Sequence, residues 1–381
     1  MSTSKTAFSV ALMQELIGSM PNWYGSDNWE PEMFGTPAAS LKNWLVTKFN
    51  AAFAGRMAMI PADGRMIQNV FSVESLLPGL AEVYELLGDD FSKATLVKLL
   101  AYRIMGHRKV KLPVNTPDYW RQRSLAESLI SGKETIRVEF HAPWIAKTLS
   151  FDLRRFSLHR AGYPIELFST SSGVQTLYLQ KQYAYGKRTP AVQAEAGDRV
   201  IDGGGCWGDS ALYFAHAVGA EGRVYTFEFA PNNLEVLRRN LGMNRELAGR
   251  VEIVEAALWD RCGEQLEYSA RGPATTLNDG SGSLRAPTTT VDELVRSRRL
   301  DRVDLIKMDI EGAELKALKG AEETIRRFHP KLAISGYHTH EDTVVIPDYI
   351  TNLYTGYEIY LDHFTIYEGE TVFFAIPRGN V

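Results

Sequence analysis

The stretch VIDGGGCWGDSALYFA, residues Val200 to Ala215, decides the fold of this chain. An apolar run ends in the acidic Asp202, glycines follow, and a segment with helical periodicity comes next. Three glycines have the GxGxxG spacing, namely Gly203, Gly205 and Gly208. This spacing lets the backbone approach a ligand closely and points the amides of a helix N-terminus at it. The stretch therefore predicts a strand, a ligand-binding loop and a helix.

Strand and helix signals alternate from Asp198 onward, which is typical of a parallel α/β sheet covered by helices on both faces. Five strands are predicted at RVID, RVYTFE, VEIVEA, VDLIKMD and KLAIS (199–202, 223–228, 251–256, 303–309 and 331–335). Helices are predicted at 209–218, from Pro231, and across AELKALKGAEETIRRF (313–328). The segments YEIYLDHF and ETVFFAI are joined by a short loop, which predicts a C-terminal hairpin with an antiparallel strand.

Residues 1–134 carry helical periodicity and predict a mostly helical accessory region, in which Asp90 is an N-cap candidate. Residues 135–185 predict a β-rich connection with strands at TIRVEF, IELFST and VQTLYL. The main domain is expected at residues 186–381. We expect the accessory region to pack on the main domain or to build a homo-oligomer.

Composition excludes several classes of protein. The chain has 381 residues, of which 45% are hydrophobic, so it can bury a full core and form two domains. Its net charge of -4 supplies no overall field for nucleic acid or an anionic membrane, and neither is expected as a partner. Two cysteines, Cys206 and Cys262, are too few for a disulfide framework or a four-cysteine zinc site. A reducing, cytoplasmic location is therefore expected.

Glu228 lies 20 residues after Gly208, at the end of the second predicted strand, where a carboxylate can accept both hydroxyls of a ribose. NAD and S-adenosylmethionine both carry such a ribose. Three features favour S-adenosylmethionine. Asp202 places negative charge where a pyrophosphate needs room but an α-amino group is welcome. The parallel strands form a single run closed by a hairpin, and acidic residues end the fourth strand.

These segments, together with VYTFEFAP, ALWD, VDLIKMDIEGAELKALKGA and ETVFFA in this order, resemble the FkbM family of class I S-adenosylmethionine-dependent methyltransferases. The resemblance covers roughly residues 182–376. It implies a seven-stranded Rossmann-like sheet and O-methylation, often of sugar hydroxyls in glycans or glycosylated natural products. It further implies that the glycine loop and Asp202 contact the methionine moiety, that Glu228 binds the ribose, and that Ala256, Ala257 and Leu258 lie against adenine.

Three residues are candidates for the methyl-transfer chemistry. A sugar hydroxyl needs a general base or a metal to lower its pKa. Asp309 and Glu311 are two apart at the end of one strand, and His338 follows the next strand, so the three are expected to converge. They predict a base with its orienting carboxylate or, as the second choice, ligands for a divalent metal ion. His363 is another base candidate, placed farther away.

Other functions leave different signatures in a sequence. A nucleotide-dependent oxidoreductase needs a hydride-positioning set such as Tyr and Lys four apart, and the expected region has no such pair. Amine-directed nucleic-acid methyltransferases place an Asn/Asp-Pro-Pro-aromatic turn after the fourth strand, where this chain has Asp-Ile-Glu-Gly. A noncatalytic cofactor-binding module stays open, and retained cofactor binding without turnover would identify it.

Overall fold

The computed structural model describes residues 3–30, 64–142, 147–269, 275–277 and 284–379. The helices, numbered along the chain, are α1 (Thr3–Ser19), α2 (Gly64–Leu86), α3 (Asp90–Met105), α4 (Pro117–Ser128), α5 (Asp209–Ala217), α6 (Pro231–Met243), α7 (Arg245–Ala248), α8 (Val291–Arg298), α9 (Glu314–Lys319), α10 (Glu322–Phe328) and α11 (Asp342–Leu353). The strands are β1 (Ile130–Ala142), β2 (Lys147–Ser157), β3 (Glu166–Ser169), β4 (Arg199–Gly203), β5 (Arg223–Phe227), β6 (Val251–Val254), β7 (Ala257–Leu258), β8 (Gln265–Ser269), β9 (Thr276–Leu277), β10 (Leu284–Thr289), β11 (Leu305–Met308), β12 (Lys331–Ser335), β13 (Tyr357–His363) and β14 (Thr371–Pro377).

A seven-stranded sheet in the order β13-β14-β12-β11-β4-β5-β6 forms the centre of the fold. The five predicted strands, now β4, β5, β6, β11 and β12, pair in parallel. Strand β14 runs antiparallel to β12 and lies between β12 and β13. Every residue of β11 is buried, as expected of a parallel strand covered on both faces. The predicted α/β fold with seven strands and an antiparallel C-terminal segment is confirmed.

Two predicted elements were wrong. The segment VQTLYL is π-helical over Val174–Leu179, not a strand. Its buried Val174, Leu177 and Tyr178 are spaced as on a helix face, a period that the strand prediction overlooked. The helix predicted across 313–328 is broken at Gly320 into α9 and α10. A Cβ at Gly320 would stand 2.1 Å from the carbonyl oxygen of Trp259, so the residue at this break has no room for a side chain.

A helix cap also differs from the prediction. Asp89, not Asp90, caps α3, because its Oδ1 accepts a hydrogen bond of 2.8 Å from the backbone amide of Ser92. Asp90 is the first residue of the helix itself. An acidic residue in the first turn still interacts favourably with the helix dipole.

The chain divides into two compact units. The first contains Met1–Thr116 with His363–Gly369, and the second contains Pro117–Asp362 with Glu370–Val381. Helices α1, α2 and α3 pack on one another in the first unit. The β-rich residues 135–185 fall in the second unit, together with the main sheet. Among the described residues, no helix is both long and apolar enough to cross a lipid bilayer.

The antiparallel sheet β1-β2-β3 supports the glycine loop from outside. Trp207, from that loop, packs in one buried cluster with Val138 of β1, Leu153 of β2, Phe168 of β3 and Val236 of α6. The burial of this cluster holds the loop against the second unit's core, because apolar area removed from water is stabilising. The β-rich segment therefore positions the loop that the sequence marked as ligand-binding.

Candidate active site

A cleft opens at the carboxyl ends of β4, β5, β6 and β11. Ligands of open α/β sheets bind at this edge. The residues that line the cleft are Gly204, Cys206, Phe227, Glu228, Phe229, Asn233, Ala256, Leu258, Thr275, Asp309, Ile310 and Glu311. They include the predicted ribose carboxylate, two of the three predicted adenine contacts and two of the predicted catalytic acids.

Gly204 is a loop position where both the backbone conformation and the surrounding atoms require glycine. Its φ is +84°, and a Cβ there would stand 2.0 Å from the carbonyl oxygen of Asp309. The sequence spacing singled out Gly203, Gly205 and Gly208, none of which lines the cleft. A Cβ at Gly205 would meet Thr226 Oγ1 at 2.2 Å, so close packing explains the need for glycine there as well. The loop lies directly against the β11 end that carries the acids.

Asp202 lies beneath the loop instead of on the cleft wall. It is fully buried, its Oδ1 is 3.1 Å from Lys307 Nζ, and its Oδ2 accepts hydrogen bonds from Ser210 and Thr226 hydroxyls at 2.9 and 2.8 Å. This position favours a role in organising the loop over direct contact with a ligand amino group. The predicted contact with the methionine moiety stays a prediction.

Lys307 is a site residue that the sequence analysis missed. Its Nζ also donates to the carbonyl oxygens of Gly203 and Gly204, at 2.9 and 2.8 Å. Burial alone lowers the pKa of this ammonium, but Asp202 and Asp309 outweigh burial and raise it, so the lysine is charged. The available signal was a lysine in the middle of an apolar strand, because buried charges in proteins are paired.

Glu228 ends β5 and is held rigidly by its neighbours. Its Oε1 accepts hydrogen bonds from the backbone amides of Phe229 and Ala230, at 2.6 and 2.7 Å, and its Oε2 accepts one from Asn233 at 3.1 Å. Burial raises the pKa of the Glu228 carboxyl, and these hydrogen bonds oppose the rise. The predicted ribose residue therefore lies on the cleft wall in a single, supported orientation.

An apolar wall stands beside Glu228. Phe229 packs edge-on against Tyr268, with ring centroids 4.9 Å apart, and Ala256 and Leu258 line the same cleft. Ala257, the third predicted adenine contact, is buried and is not among the lining residues. This wall suits a flat, weakly polar group such as a nucleobase.

Asp309, Glu311 and His338 converge in the structure. The Nε2 atom of His338 is 3.4 Å from Asp309 Oδ1 and 3.6 Å from Glu311 Oε1. Its Nδ1 atom is 3.0 Å from Oε1 of Glu314, a residue that the sequence analysis did not select. The His338 side chain is only 8% exposed, so an imidazole lies within a cage of three carboxylates.

Glu314 also holds the turn that carries the catalytic acids. Its two carboxylate oxygens accept hydrogen bonds from the backbone amides of Ile310 and Gly312, at 2.7 and 3.0 Å. Between them, Glu311 adopts a φ of +57°, a left-handed conformation that is unfavourable for a residue with a side chain. The Asp-Ile-Glu-Gly-Ala-Glu segment is thus a turn that is stabilised by the side chain of its last residue, Glu314.

Two tyrosines saturate the carboxylate of Asp309. The hydroxyl of Tyr183 donates to Oδ2 at 2.7 Å, and that of Tyr337 donates to Oδ1 at 3.2 Å. Burial alone raises the pKa of Asp309, but the positive charges of His338 and Lys307 hold it below its usual range. Asp309 is therefore an ionised, fully engaged anion, which makes it a poor proton acceptor.

The charge state of His338 bears on both the base and the metal predictions. Carboxylates only accept hydrogen bonds, so a ring with carboxylates at both nitrogens is favoured as the doubly protonated imidazolium. Burial lowers the pKa of His338, but the surrounding carboxylates, Glu314 foremost, raise it to about 12. An imidazolium has no lone pair for a proton or a metal ion. His338 fits a positioning cation better than a general base.

Three residues of the site offer donor atoms for the predicted metal ion. Asp309, Glu314 and His338 each offer a ligand atom, and these atoms lie within 4.8 Å of one another. The predicted set had Glu311 in the place of Glu314. Because both oxygens of Asp309 accept from tyrosine hydroxyls and both oxygens of Glu314 accept from backbone amides, this arrangement fits an internally hydrogen-bonded cluster better than metal ligation. The metal stays a prediction without support from the donor chemistry.

His363, the other predicted base, does not line the cleft. It is 3% exposed, groups with the first compact unit, and has its Nε2 3.4 Å from Thr365 Oγ1. Burial lowers the pKa of His363 to about 4, so its ring is neutral. Its placement is that of a packed core histidine.

Glu370 is a further acid that the sequence analysis missed. It accepts a hydrogen bond from Gln182, which is 188 residues away in the chain. Burial, with the negative charge of Asp309, raises the pKa of Glu370 to about 8. The site therefore combines residues from the segment before β4, from the turn after β11 and from the residue before β14.

The chain is similar to known proteins both in sequence and in fold. The sequence model described as the methyltransferase FkbM domain matches residues 194–359. The chain is similar to "Methyltransferase sdnD" of Sordaria araneosa, with 28% identity over 158 residues, which is 32% of this chain and 60% of the relative. It is also similar to a crystal structure titled methyltransferase FkbM from Methylobacillus flagellatus KT, with 20% identity and a TM-score of 0.49, covering 80% of this chain and 59% of that one. Both matches thus span less than two thirds of the relative's length.

Proposed function

We propose that residues 194–359, which match the model of the methyltransferase FkbM domain, transfer the methyl group of S-adenosylmethionine to a sugar hydroxyl. One observation carries the proposal. A rigid carboxylate, Glu228, and the acids Asp309 and Glu311 line the same cleft at the carboxyl edge of the sheet. The cleft thus offers a ribose-binding carboxylate and a proton acceptor side by side.

The cleft residues divide into groups that suit the parts of S-adenosylmethionine. Glu228 suits the ribose hydroxyls, and the wall of Phe229, Ala256 and Leu258 suits the adenine. The close approach of the Gly204 backbone to Asp309 leaves the methionine portion near this carboxylate, whose negative charge attracts an ammonium group. When bound, this cofactor supplies an electrophilic methyl group on a sulfonium.

Glu311 is the best candidate for the general base. Asp309 is saturated by two tyrosine hydroxyls, and both oxygens of Glu314 accept from backbone amides. The Glu311 carboxylate lines the cleft and is 24% exposed, the highest exposure among these three acids. Burial raises the pKa of Glu311, which makes it a better proton acceptor than a surface carboxylate.

The proposed step conserves atoms and charge. The acceptor hydroxyl gives its proton to Glu311 while its oxygen forms a bond to the methyl carbon and the carbon–sulfur bond breaks. The products are a methyl ether, a protonated Glu311 and neutral S-adenosylhomocysteine. His338 stays protonated throughout, 3.6 Å from Glu311, and holds the carboxylate in place. A metal ion has no part in this step.

The sugar acceptor is proposed on two grounds. It rests on the usual substrates implied by the family resemblance and on the tyrosine hydroxyls, Tyr183 and Tyr337, that surround the acids. A glycan or a glycosylated small molecule fits this description equally well.

The test is methyl transfer from radiolabelled S-adenosylmethionine to a panel of sugars and glycosides by wild type, Glu311→Gln and the control Glu235→Gln. Glu235 is an exposed acid on α6. Loss of a general base lowers kcat by about 100-fold or more, whereas cofactor binding and the control are expected to be unchanged. A Glu311→Gln enzyme with the wild-type kcat contradicts the base assignment, and exclusive methylation of amines or nucleic acid contradicts the acceptor class.

A further inference from the structure

Helix α1 presents a row of large apolar side chains to solvent. Val10, Met13 and Ile17 are 48%, 55% and 58% exposed, and Met20 and Trp23, just beyond the helix, are 57% and 61% exposed. We call these five residues the α1 seam. A single exposed apolar residue on a protein surface is ordinary, but a contiguous row of them marks an interaction site.

The spacing of the seam is that of helix pairing. Val10, Met13, Ile17 and Met20 follow one another at intervals of three, four and three, which places them on one face of a helix. This is the a/d spacing of a coiled coil, with Val10 and Ile17 at one of the two positions and Met13 and Met20 at the other. The complementary occupant is therefore another helix of the same kind.

The opposite face of α1 is already used within its own unit. Phe8 and Leu12 are buried, and α1 packs against α2 and α3. Glu15 forms an ion pair with Lys98 at 2.6 Å and accepts from Ser19, so the acid on this helix is neutralised internally. One face of α1 thus packs against α2 and α3, and the seam face is exposed to solvent.

The charge around the seam is compatible with a second copy. The flanking residues Ser9, Gln14 and Gly18 are uncharged, so two identical faces can meet without like-charge repulsion. The nearby cations are engaged within the chain: Lys109 donates to the carbonyl oxygens of Met20 and Asn22, at 2.7 and 2.8 Å. Arg108 and Lys109 also lie over the Trp23 ring, 5.2 and 5.4 Å from its centroid, so these cations contact the Trp23 end of the seam.

We propose that two copies of this chain associate through the α1 seam to form a homodimer. The contact is isologous, with the same face on both chains, as the commonest soluble oligomers have. Five half-exposed apolar side chains supply the apolar core that an interface needs, and the surrounding residues supply its rim. This inference is independent of the methyl-transfer proposal.

The experiment is sedimentation velocity of the full-length chain over roughly a hundredfold range of protein concentration, because dimerisation follows mass action. Wild type is expected to form a dimer, and Ile17→Glu, which places two carboxylates against each other, is expected to raise the dissociation constant by about 100-fold or more. Leu284→Glu is the matched control, since Leu284 is a 45% exposed leucine on β10 of the second unit, and it is expected to dimerise as wild type does. Circular dichroism of both variants verifies the fold.

Three results would overturn the proposal. A wild-type chain that is monomeric over the whole range excludes a dimer. An Ile17→Glu chain that dimerises as well as wild type places the interface elsewhere. A monomeric chain that cosediments with phosphatidylserine vesicles, and loses this binding in Ile17→Glu, identifies the seam as a lipid-binding surface instead.

Discussion

The substitution Lys307→Met removes a buried positive charge from the centre of the second unit while keeping the length of the side chain. Lys307 is 3.1 Å from the buried Asp202 and donates to two carbonyl oxygens of the glycine loop. Without it, Asp202 keeps its hydroxyl partners but loses its counter-ion. The loop loses the donor that ties it to β11.

The expected cost follows from this burial. Removing one partner of a buried ion pair destabilises a protein by about 3–5 kcal/mol. The matched control is Lys316→Met, because Lys316 lies 3.0 Å from Asp260, a nearly equal distance, but is 47% exposed. An exposed pair contributes about 0–1 kcal/mol. The double variant Lys307→Met with Asp202→Asn is expected to recover part of the loss, since it no longer buries an unpaired charge.

The assay is urea unfolding of wild type and the three variants, with the free energy of unfolding compared at one pH. Equal stabilities of Lys307→Met and Lys316→Met would refute the reasoning, because they would show that removing the buried counter-ion of Asp202 costs no more than removing an exposed one. A double variant less stable than Lys307→Met alone would refute it as well.

Three further predictions test other parts of the structure. Gly204→Ala adds a Cβ 2.0 Å from the carbonyl oxygen of Asp309, at a φ of +84°. In urea unfolding, the loss in the free energy of unfolding is expected to be about 1–3 kcal/mol larger than for Gly263→Ala, where φ is +80° and the space is open. Equal losses in the two variants would contradict the contact. Burial lowers the pKa of His363 from 6.5 to about 4, so the unfolded chain binds more protons in this range and stability falls as the pH drops from 6.5 towards 4, by about 3 kcal/mol in full. Urea unfolding of His363→Gln at several pH values is expected to show a shallower fall. Because the carboxylates of Asp309 and Glu314 are engaged by hydrogen bonds within the chain, EDTA is expected to leave the methyl-transfer rate unchanged, and a loss restored by Mg²⁺ would revive the metal prediction.

The parts of the fold that follow from local signals were predictable from the sequence. Alternating strand and helix patterns locate the five parallel strands, and the carboxyl ends of such strands meet at one edge of a sheet. This rule is why Glu228, Asp309 and Glu311 could be assigned to one cleft without a structure. The convergence of His338 with the two acids follows from the pairing of β11 with β12.

The rest depends on contacts between distant residues, which no local pattern contains. Tyr183 reaches Asp309 across 126 positions, and Gln182 reaches Glu370 across 188. At the break in the helix predicted over 313–328, the Trp259 carbonyl oxygen lies where a side chain at Gly320 would stand. The charge of His338 is also a tertiary property, because it depends on carboxylates brought together by the fold.

The most direct test of the central claim is calorimetric titration of wild type, Glu228→Gln and the control Glu235→Gln with S-adenosylhomocysteine and, separately, with NADH. We predict micromolar binding of S-adenosylhomocysteine, no binding of NADH, and a loss of affinity of about tenfold in Glu228→Gln alone, as expected for one charge-assisted hydrogen-bonding group. Binding of NADH without S-adenosylhomocysteine, or an unchanged affinity in Glu228→Gln, would contradict the assignment of this cleft.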